Sequence, residues 1–251
     1  MISLKTKNWQ IDNIETILFD KDGTFIDLHY FWGKMTELRV QEIIKRFKIS
    51  SVEFEKLCLS LGYDINSGKM LSDGITALYS RSRIIEIFRG NLEEFGVFTT
   101  DEELAEIFDY VSENFYQDMV KYTKPIEPAV EFIKELHEKG VNLGVVTSDS
   151  VISTELTLKN FGWTDLFGVV VGRESSNETK ESGALTKIAL EKLVANPQTT
   201  IMVGDAPMDY ISAKNAGVTK TILVATGQIP TEKLFQTSQY VVDSLLDVKI
   251  L

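Results

Sequence analysis

Two aspartates set two residues apart, Asp20 and Asp22, are the side chains of this chain best suited to chemistry. They lie in the run Thr16-Ile-Leu-Phe-Asp-Lys-Asp-Gly-Thr-Phe-Ile-Asp27, where Ile17, Leu18 and Phe19 form the short continuous apolar stretch of a strand buried on both faces of a parallel sheet. The acids therefore fall at the carboxyl end of that strand, the edge at which open α/β sheets bind ligands. Two carboxylates this close repel in an apolar pocket, so the spacing calls for a divalent cation or for one acid kept protonated. Mg²⁺ suits the first outcome, because hard cations prefer carboxylate oxygens and can neutralise a substrate phosphate. Asp22-Gly23 on its own is equally the dipeptide of a hairpin turn.

A second apolar run, Ile201-Met-Val-Gly-Asp-Ala-Pro-Met-Asp209, also ends in acids. Asp205 and Asp209 are four residues apart and can face one side of a turn entering a helix. Either acid alone is accounted for as a helix cap or first-turn residue. Together with Asp20 they put acids on two strands of one sheet, at one edge. Val145-Val-Thr-Ser-Asp149 carries a strand into the hydroxyls of Thr147 and Ser148 before a helix, which describes an ordinary cap and also an anion site. Lys180 stands in a loop before another helix; lysines there are more often solvated, as Lys187 and Lys192 within that helix are expected to be.

The elements needed to hold these groups fall into two sets. From Pro125 onward, strands over 141–146, 167–171, 199–203 and 221–225 alternate with helices over 128–139, 151–161, 183–194 and 208–216, the spacing of βαβ units. With the strand at 17–19 this gives five parallel strands, and 240–242 reads as an edge. Between the two parts, residues 29–124 show helical periodicity without a strand signal, with helices over 51–61, 75–88 and 101–119. A βαβ crossover needs only about 30 residues, so the helical stretch is an insertion. The expected architecture is a doubly wound, Rossmann-like α/β core from 1–28 and 125–251, carrying an all-helical cap of 29–124 as a mobile lid over the catalytic edge.

Composition narrows the function classes. With 43% hydrophobic and 25% charged residues in 251, the chain is neither disordered nor fibrous, and its net charge of -11 argues against a nucleic-acid partner. The single cysteine, Cys58, supports neither an internal disulfide nor a zinc site and is expected in the core. No apolar run approaches the roughly 18 residues of a membrane span, and the amino-terminal residues lack the apolar region of a signal peptide. No membrane partner and a cytoplasmic location are the expectations.

In order and spacing these motifs resemble the haloacid dehalogenase-like hydrolases, in the branch with a helical cap that includes phosphoglycolate phosphatases. Asp20-Lys-Asp-Gly-Thr24 is similar to the first family motif, Thr147 to the second, Lys180 to the third, and Gly204-Asp205 with Asp209 to the fourth. The family often places Pro after the motif lysine, whereas Glu181-Ser182 follows here. The resemblance implies that Asp20 attacks phosphorus and that Asp22 is the acid and base. It implies Mg²⁺ held by Asp20, the Asp22 carbonyl and Asp205, with Asp209 behind them. Thr147, Ser148 and Lys180 would then hold phosphoryl oxygens. A small phosphorylated metabolite is the expected partner, and in the cap His29, Tyr30, Trp32, Arg81 and Arg83 are candidates for touching it. A phosphomutase would use the same two acids and return the phosphoryl group to a sugar. A non-catalytic sensor would have no chemical need for a nucleophile beside a proton donor.

Overall fold

Residues 1–251 are all described by the computed structural model. Strands β1 (Ile2–Lys5), β2 (Gln10–Ile14) and β3 (Thr16–Phe19) open the chain. Helices α1 (Leu28–Phe47) and α2 (Phe54–Ser60) follow, then short strands β4 (Tyr63–Asp64) and β5 (Lys69–Met70), then α3 (Ile75–Leu78), α4 (Arg81–Glu93), α5 (Asp101–Gln117) and α6 (Met119–Tyr122). Alternation begins with α7 (Glu127–Glu138), β6 (Asn142–Val146), α8 (Val151–Asn160), β7 (Val169–Val171) and α9 (Ala184–Leu193). It continues through β8 (Thr200–Gly204), α10 (Pro207–Asn215), β9 (Thr221–Val224), α11 (Thr231–Phe235) and β10 (Tyr240–Val242) to β11 (Lys249–Ile250).

The chain divides into two compact units, Met1–Asp27 with Pro125–Leu251, and Leu28–Lys124. In the first, six parallel strands lie in the order β10-β9-β8-β3-β6-β7. Read from β7, this is the 3-2-1-4-5-6 order of a doubly wound sheet, and its switch point falls between β3 and β8. Every residue of β3 and β8 is buried, as central strands covered on both faces require. Leu18, Val146 and Met202 on one face pack with Leu185 and Ala189 of α9 and Ala213 of α10. Phe19 points to the other face, edge-on to Phe167.

The second unit has its own core around Val40, Ile43, Leu57, Cys58, Phe88 and Phe108. Burial pushes the Cys58 thiol up to about 12, with the Glu37 carboxylate adding to it, so the residue behaves as a small apolar filler. Gly33 of α1 leaves room for Tyr63, because a Cβ there would stand 2.6 Å from the ring.

The structure differs from the sequence expectation in four local places. The helical unit contains the antiparallel pair β4–β5, too short at two residues each to show periodicity. The helix expected over 75–88 is interrupted where Tyr79 and Ser80 are extended, with α4 restarting after Ser80. The helix expected over 101–119 stops at Gln117, and α6 begins after Asp118. A three-stranded antiparallel sheet, β11-β1-β2, joins the two ends of the chain; β1 and β2 form a local hairpin, whereas β1 and β11 are too distant in sequence for any local pattern to reveal their pairing.

Val194 ends α9 in the left-handed region, with φ 51° and ψ 41°, and is 93% exposed. A β-branched side chain there is strained and buries nothing, whereas glycine is the usual residue at this position. Val194→Gly is expected to raise stability by about 1 kcal/mol, measured as a shift of the urea midpoint at unchanged slope.

Candidate active site

Register alone brings the acids together. Phe19 pairs with Val203, and the amide of Asp20 donates to the Val203 carbonyl at 2.9 Å, so the residues after β3 and β8 leave the sheet side by side. On its other flank Phe19 pairs with Val145, which sets Thr147 beside the same edge. After Asp20 the chain turns tightly: the Lys21 carbonyl accepts from the amides of Thr24, Phe25 and Ile26 at 3.3, 3.1 and 3.1 Å. Gly23 sits at φ +89°, and a Cβ on it would stand 2.5 Å from the Asp205 carboxylate, so both conformation and space demand glycine. Gly227, in the loop after β9, closes on Asp205 from another side, where a Cβ would overlap the carboxylate. Thr226 beside it donates its hydroxyl to the Gly23 carbonyl at 2.5 Å.

Asp20, Asp205 and Asp209 each offer a carboxylate oxygen, and these atoms lie within 4.8 Å of one another, all buried. Lys180 reaches them from a 3₁₀ turn, its Nζ 2.5 Å from Asp20 Oδ1 and 2.6 Å from Asp209 Oδ1. That turn is held without proline: Gly183 takes φ 83° against Asn215, and the Asn215 amide group donates to the Glu181 carbonyl at 2.7 Å. The other oxygen of Asp209 accepts from the Ala206 amide at 3.1 Å, which ties the acid to the start of α10.

Three carboxylates around one ammonium leave an excess of negative charge. Burial, with Asp209 and Asp22 adding repulsion, outweighs the attraction of Lys180 and raises the Asp20 carboxyl to about 7. Burial likewise lifts Asp205 well above the carboxylate range, with Asp20 and Asp209 adding to it. Burial alone would lower the Lys180 ammonium, but Asp20 and Asp209 outweigh it and hold the group charged. Clustered hard oxygen donors with an uncompensated charge fit a divalent cation, so the residues present suit the metal that the carboxylates called for.

The Asp22 carboxylate stands outside that group. Its Oδ1 lies 2.9 Å from Nζ of Lys21, which is fully buried and 2.9 Å from Asp149 Oδ2 on its other side. The Thr147 hydroxyl accepts from the Asp149 amide at 3.0 Å, while Ser148 is exposed, with its hydroxyl 3.4 Å from Met208 Sδ. In the helical unit Arg81 pairs with Asp109 at 2.6 Å and Arg83 with Glu86 at 2.6 Å, both partly exposed. His29 accepts from the Met70 amide at 3.1 Å, the Tyr30 hydroxyl donates to the Lys121 carbonyl at 3.0 Å, and Trp32 packs edge-on to Phe31.

Sequence reasoning passed over Lys21, Asp149, Thr226 and Gly227. Asp149 was in view only as the end of a hydroxyl-bearing turn, and Lys21 carried one usable signal, a charge within a run otherwise bound for the interior.

Residues 70–224 match the family model of haloacid dehalogenase-like hydrolases, a span that starts at β5 and ends at β9. A phosphoglycolate phosphatase of Vibrio vulnificus is 34% identical over 218 residues, 81% of each chain. Pyrophosphatase PpaX of Halalkalibacterium halodurans is 28% identical over 84% of this chain and 83% of its own. Among solved structures, CbbY from Rhodobacter sphaeroides in complex with phosphate shares the fold at TM-score 0.63 and 19% identity, over 93% of this chain and 95% of its own.

The raised carboxyls make stability depend on pH in a definite direction. Asp20 titrates near 7 in the folded protein against an ordinary 3.8, so between these values the folded state holds a proton that the unfolded state has released. Unfolding free energy in chelator should therefore fall as pH rises from about 4 to 7, with Asp205 acting in the same sense. Asp20→Asn, neutral in both states, should flatten that slope in melting curves taken across the window; an unchanged slope would show that Asp20 is ionised throughout.

Proposed function

Because the chain belongs to the haloacid dehalogenase-like hydrolases and is a phosphatase of that family, we propose that it hydrolyses small phosphate monoesters with Mg²⁺, through an aspartyl-phosphate on Asp20. The observation that carries the reading is the buried group of Asp20, Asp205 and Asp209 with Lys180 among them, and Asp22 two residues from the nucleophile.

A carboxylate oxygen of Asp20 attacks phosphorus, the bond from phosphorus to the leaving oxygen breaks, and the Asp22 carboxyl gives that oxygen its proton. Water then attacks phosphorus, Asp22 takes back a proton, and the bond from phosphorus to Asp20 breaks, releasing orthophosphate and restoring both acids. Lys180 offsets repulsion between the anionic nucleophile and the anionic ester, and the Thr147 hydroxyl and the Ser148 amide are assigned to the phosphoryl oxygens. Asp20, Asp205 and the Asp22 carbonyl would hold the metal, with Asp209 supporting it from its bonds to Lys180 and Ala206. When bound, the cation supplies positive charge to the transferring phosphoryl group and keeps Asp20 ionised.

The substrate class proposed is that of phosphoglycolate, after the Vibrio relative, or a sugar phosphate. The PpaX relative favours inorganic pyrophosphate as a second class, since the same attack on phosphorus serves an anhydride. Orthophosphate release from phosphoglycolate, a hexose phosphate and pyrophosphate separates these, and transfer to give an isomeric sugar phosphate would mark a phosphomutase instead.

Chelator should abolish hydrolysis of p-nitrophenyl phosphate and Mg²⁺ restore it, while Ca²⁺ restores little because its looser coordination misplaces the nucleophile. Full activity in chelator would refute the metal. Asp20→Asn should lose turnover with the fold intact, and Asp22→Asn should lose on the order of 10²-fold or more on an alkyl phosphate and less on p-nitrophenyl phosphate, whose leaving group needs no proton. Asp205→Ala should raise the Mg²⁺ concentration needed for half-activity; turnover in Asp20→Asn within tenfold of the parent would remove Asp20 as nucleophile.

A further inference from the structure

We propose that Lys21 is a positioning residue for the proton-transferring carboxyl of Asp22, holding it through an ion pair that Asp149 anchors. The inference rests on the role given to Asp22 above and assigns how that carboxyl is kept in place.

Five acidic side chains crowd the ends of β3, β6 and β8 and the start of α10, and two ammonium groups divide four of them. Lys180 takes Asp20 and Asp209, while Lys21 lies 2.9 Å from Asp22 and 2.9 Å from Asp149. Asp205 is left to the cation site. The division draws the Asp22 carboxylate out of the metal-binding group, whose members are Asp20, Asp205 and Asp209.

The anchor is itself well tied. Asp149 Oδ1 accepts from the Ser150 amide at 2.7 Å, its own amide donates to Thr147 at 3.0 Å, and its carbonyl accepts from the Arg173 amide at 3.0 Å. The Arg173 guanidinium lies 4.0 Å from Oδ1. Asp149 is thereby joined to the ends of β6 and β7, and Lys21 passes that rigidity to the turn after β3. Lys21 also has its carbonyl at the centre of the turn, so side chain and backbone are fixed together.

Stability does not account for a buried lysine here. Taking an ammonium out of water is costly, and an apolar side chain filling the same volume is often neutral or stabilising by comparison. Asp149, with Asp22 second, repays the burial of Lys21 and holds it charged. What the pair provides is orientation: a carboxyl that must give a proton and then take one back has to keep its place relative to Asp20 through both steps.

The test compares Lys21→Met and Lys21→Met with Asp149→Asn, the second removing the unpaired buried charge left by the first. kcat/KM is measured on p-nitrophenyl phosphate, whose leaving group departs without a proton, and on phosphoglycolate, whose alkoxide needs one. Both variants should lose activity on both esters, but the aryl-to-alkyl ratio should rise about 10- to 100-fold, with melting temperature and near-UV circular dichroism showing a native fold. Equal losses on both esters would overturn the assignment. Recovery of phosphoglycolate turnover in the double variant would also overturn it, leaving Lys21 as a counter-ion to Asp149, and so would loss of the fold in both. Activity kept by Asp20→Asn would instead remove the two-acid reading itself, whatever the ratio.

Discussion

Negative charge confined at the ends of two central strands is the constraint on which the rest of this structure depends. Asp20, Asp205 and Asp209 are buried with oxygens within 4.8 Å of one another, against a single neighbouring ammonium. Such an arrangement opposes folding unless the surroundings are rigid and a counter-charge is supplied. The rigidity comes from the sheet: β3 and β8 are adjacent, parallel and buried at every residue, so their ends diverge at one fixed place. The glycines at 23, 204 and 227 then let backbone approach where any side chain would strike a carboxylate of Asp205 or Asp209.

The same constraint explains why the sheet buries its charged groups at this edge, whereas the opposite ends of its strands bury only the uncharged Thr16, Thr200 and Thr221. Lys21, Thr147, Asp149, Ser150, Ser153 and Lys180 are all nearly inaccessible, and each lies on a segment leaving the carboxyl end of a strand or entering the next helix. Strand interiors carry apolar side chains to two faces and fill the core; only beyond the last paired residue is the chain free to turn polar groups inward. Function and packing are thereby separated along each strand by one or two residues.

Electrostatics elsewhere on the molecule has a different character. In the helical unit the ion pairs of Arg81 with Asp109, Arg83 with Glu86 and Arg89 with Asp101 are all substantially exposed. Solvent screens pairs of this kind and leaves them little weight in stability, so that unit is held by its apolar core and not by its charges. Arg39 is the exception, almost buried with its guanidinium 4.3 Å from the Phe108 ring centroid.

Much of the site was legible from local pattern, because a strand buried on both faces must be apolar throughout and its end is marked by the first acid. The runs ending at Asp20 and Asp205 identify themselves in this way, and so does the change from helical to alternating periodicity near Pro125. Lys180 was legible only by motif resemblance, since a loop lysine is ordinarily solvated and its pairing across 160 residues is a property of the folded chain. The β4–β5 pair escaped because it is too short for a period, and the β1–β11 pairing because it is made by opposite ends of the chain. Sequence by itself determined which residues form the parallel strands and which acids end them. Tertiary structure alone decided which carboxylate each buried lysine meets, because that partition follows from strand order and register, and from the burial that makes an unpaired charge too costly to keep.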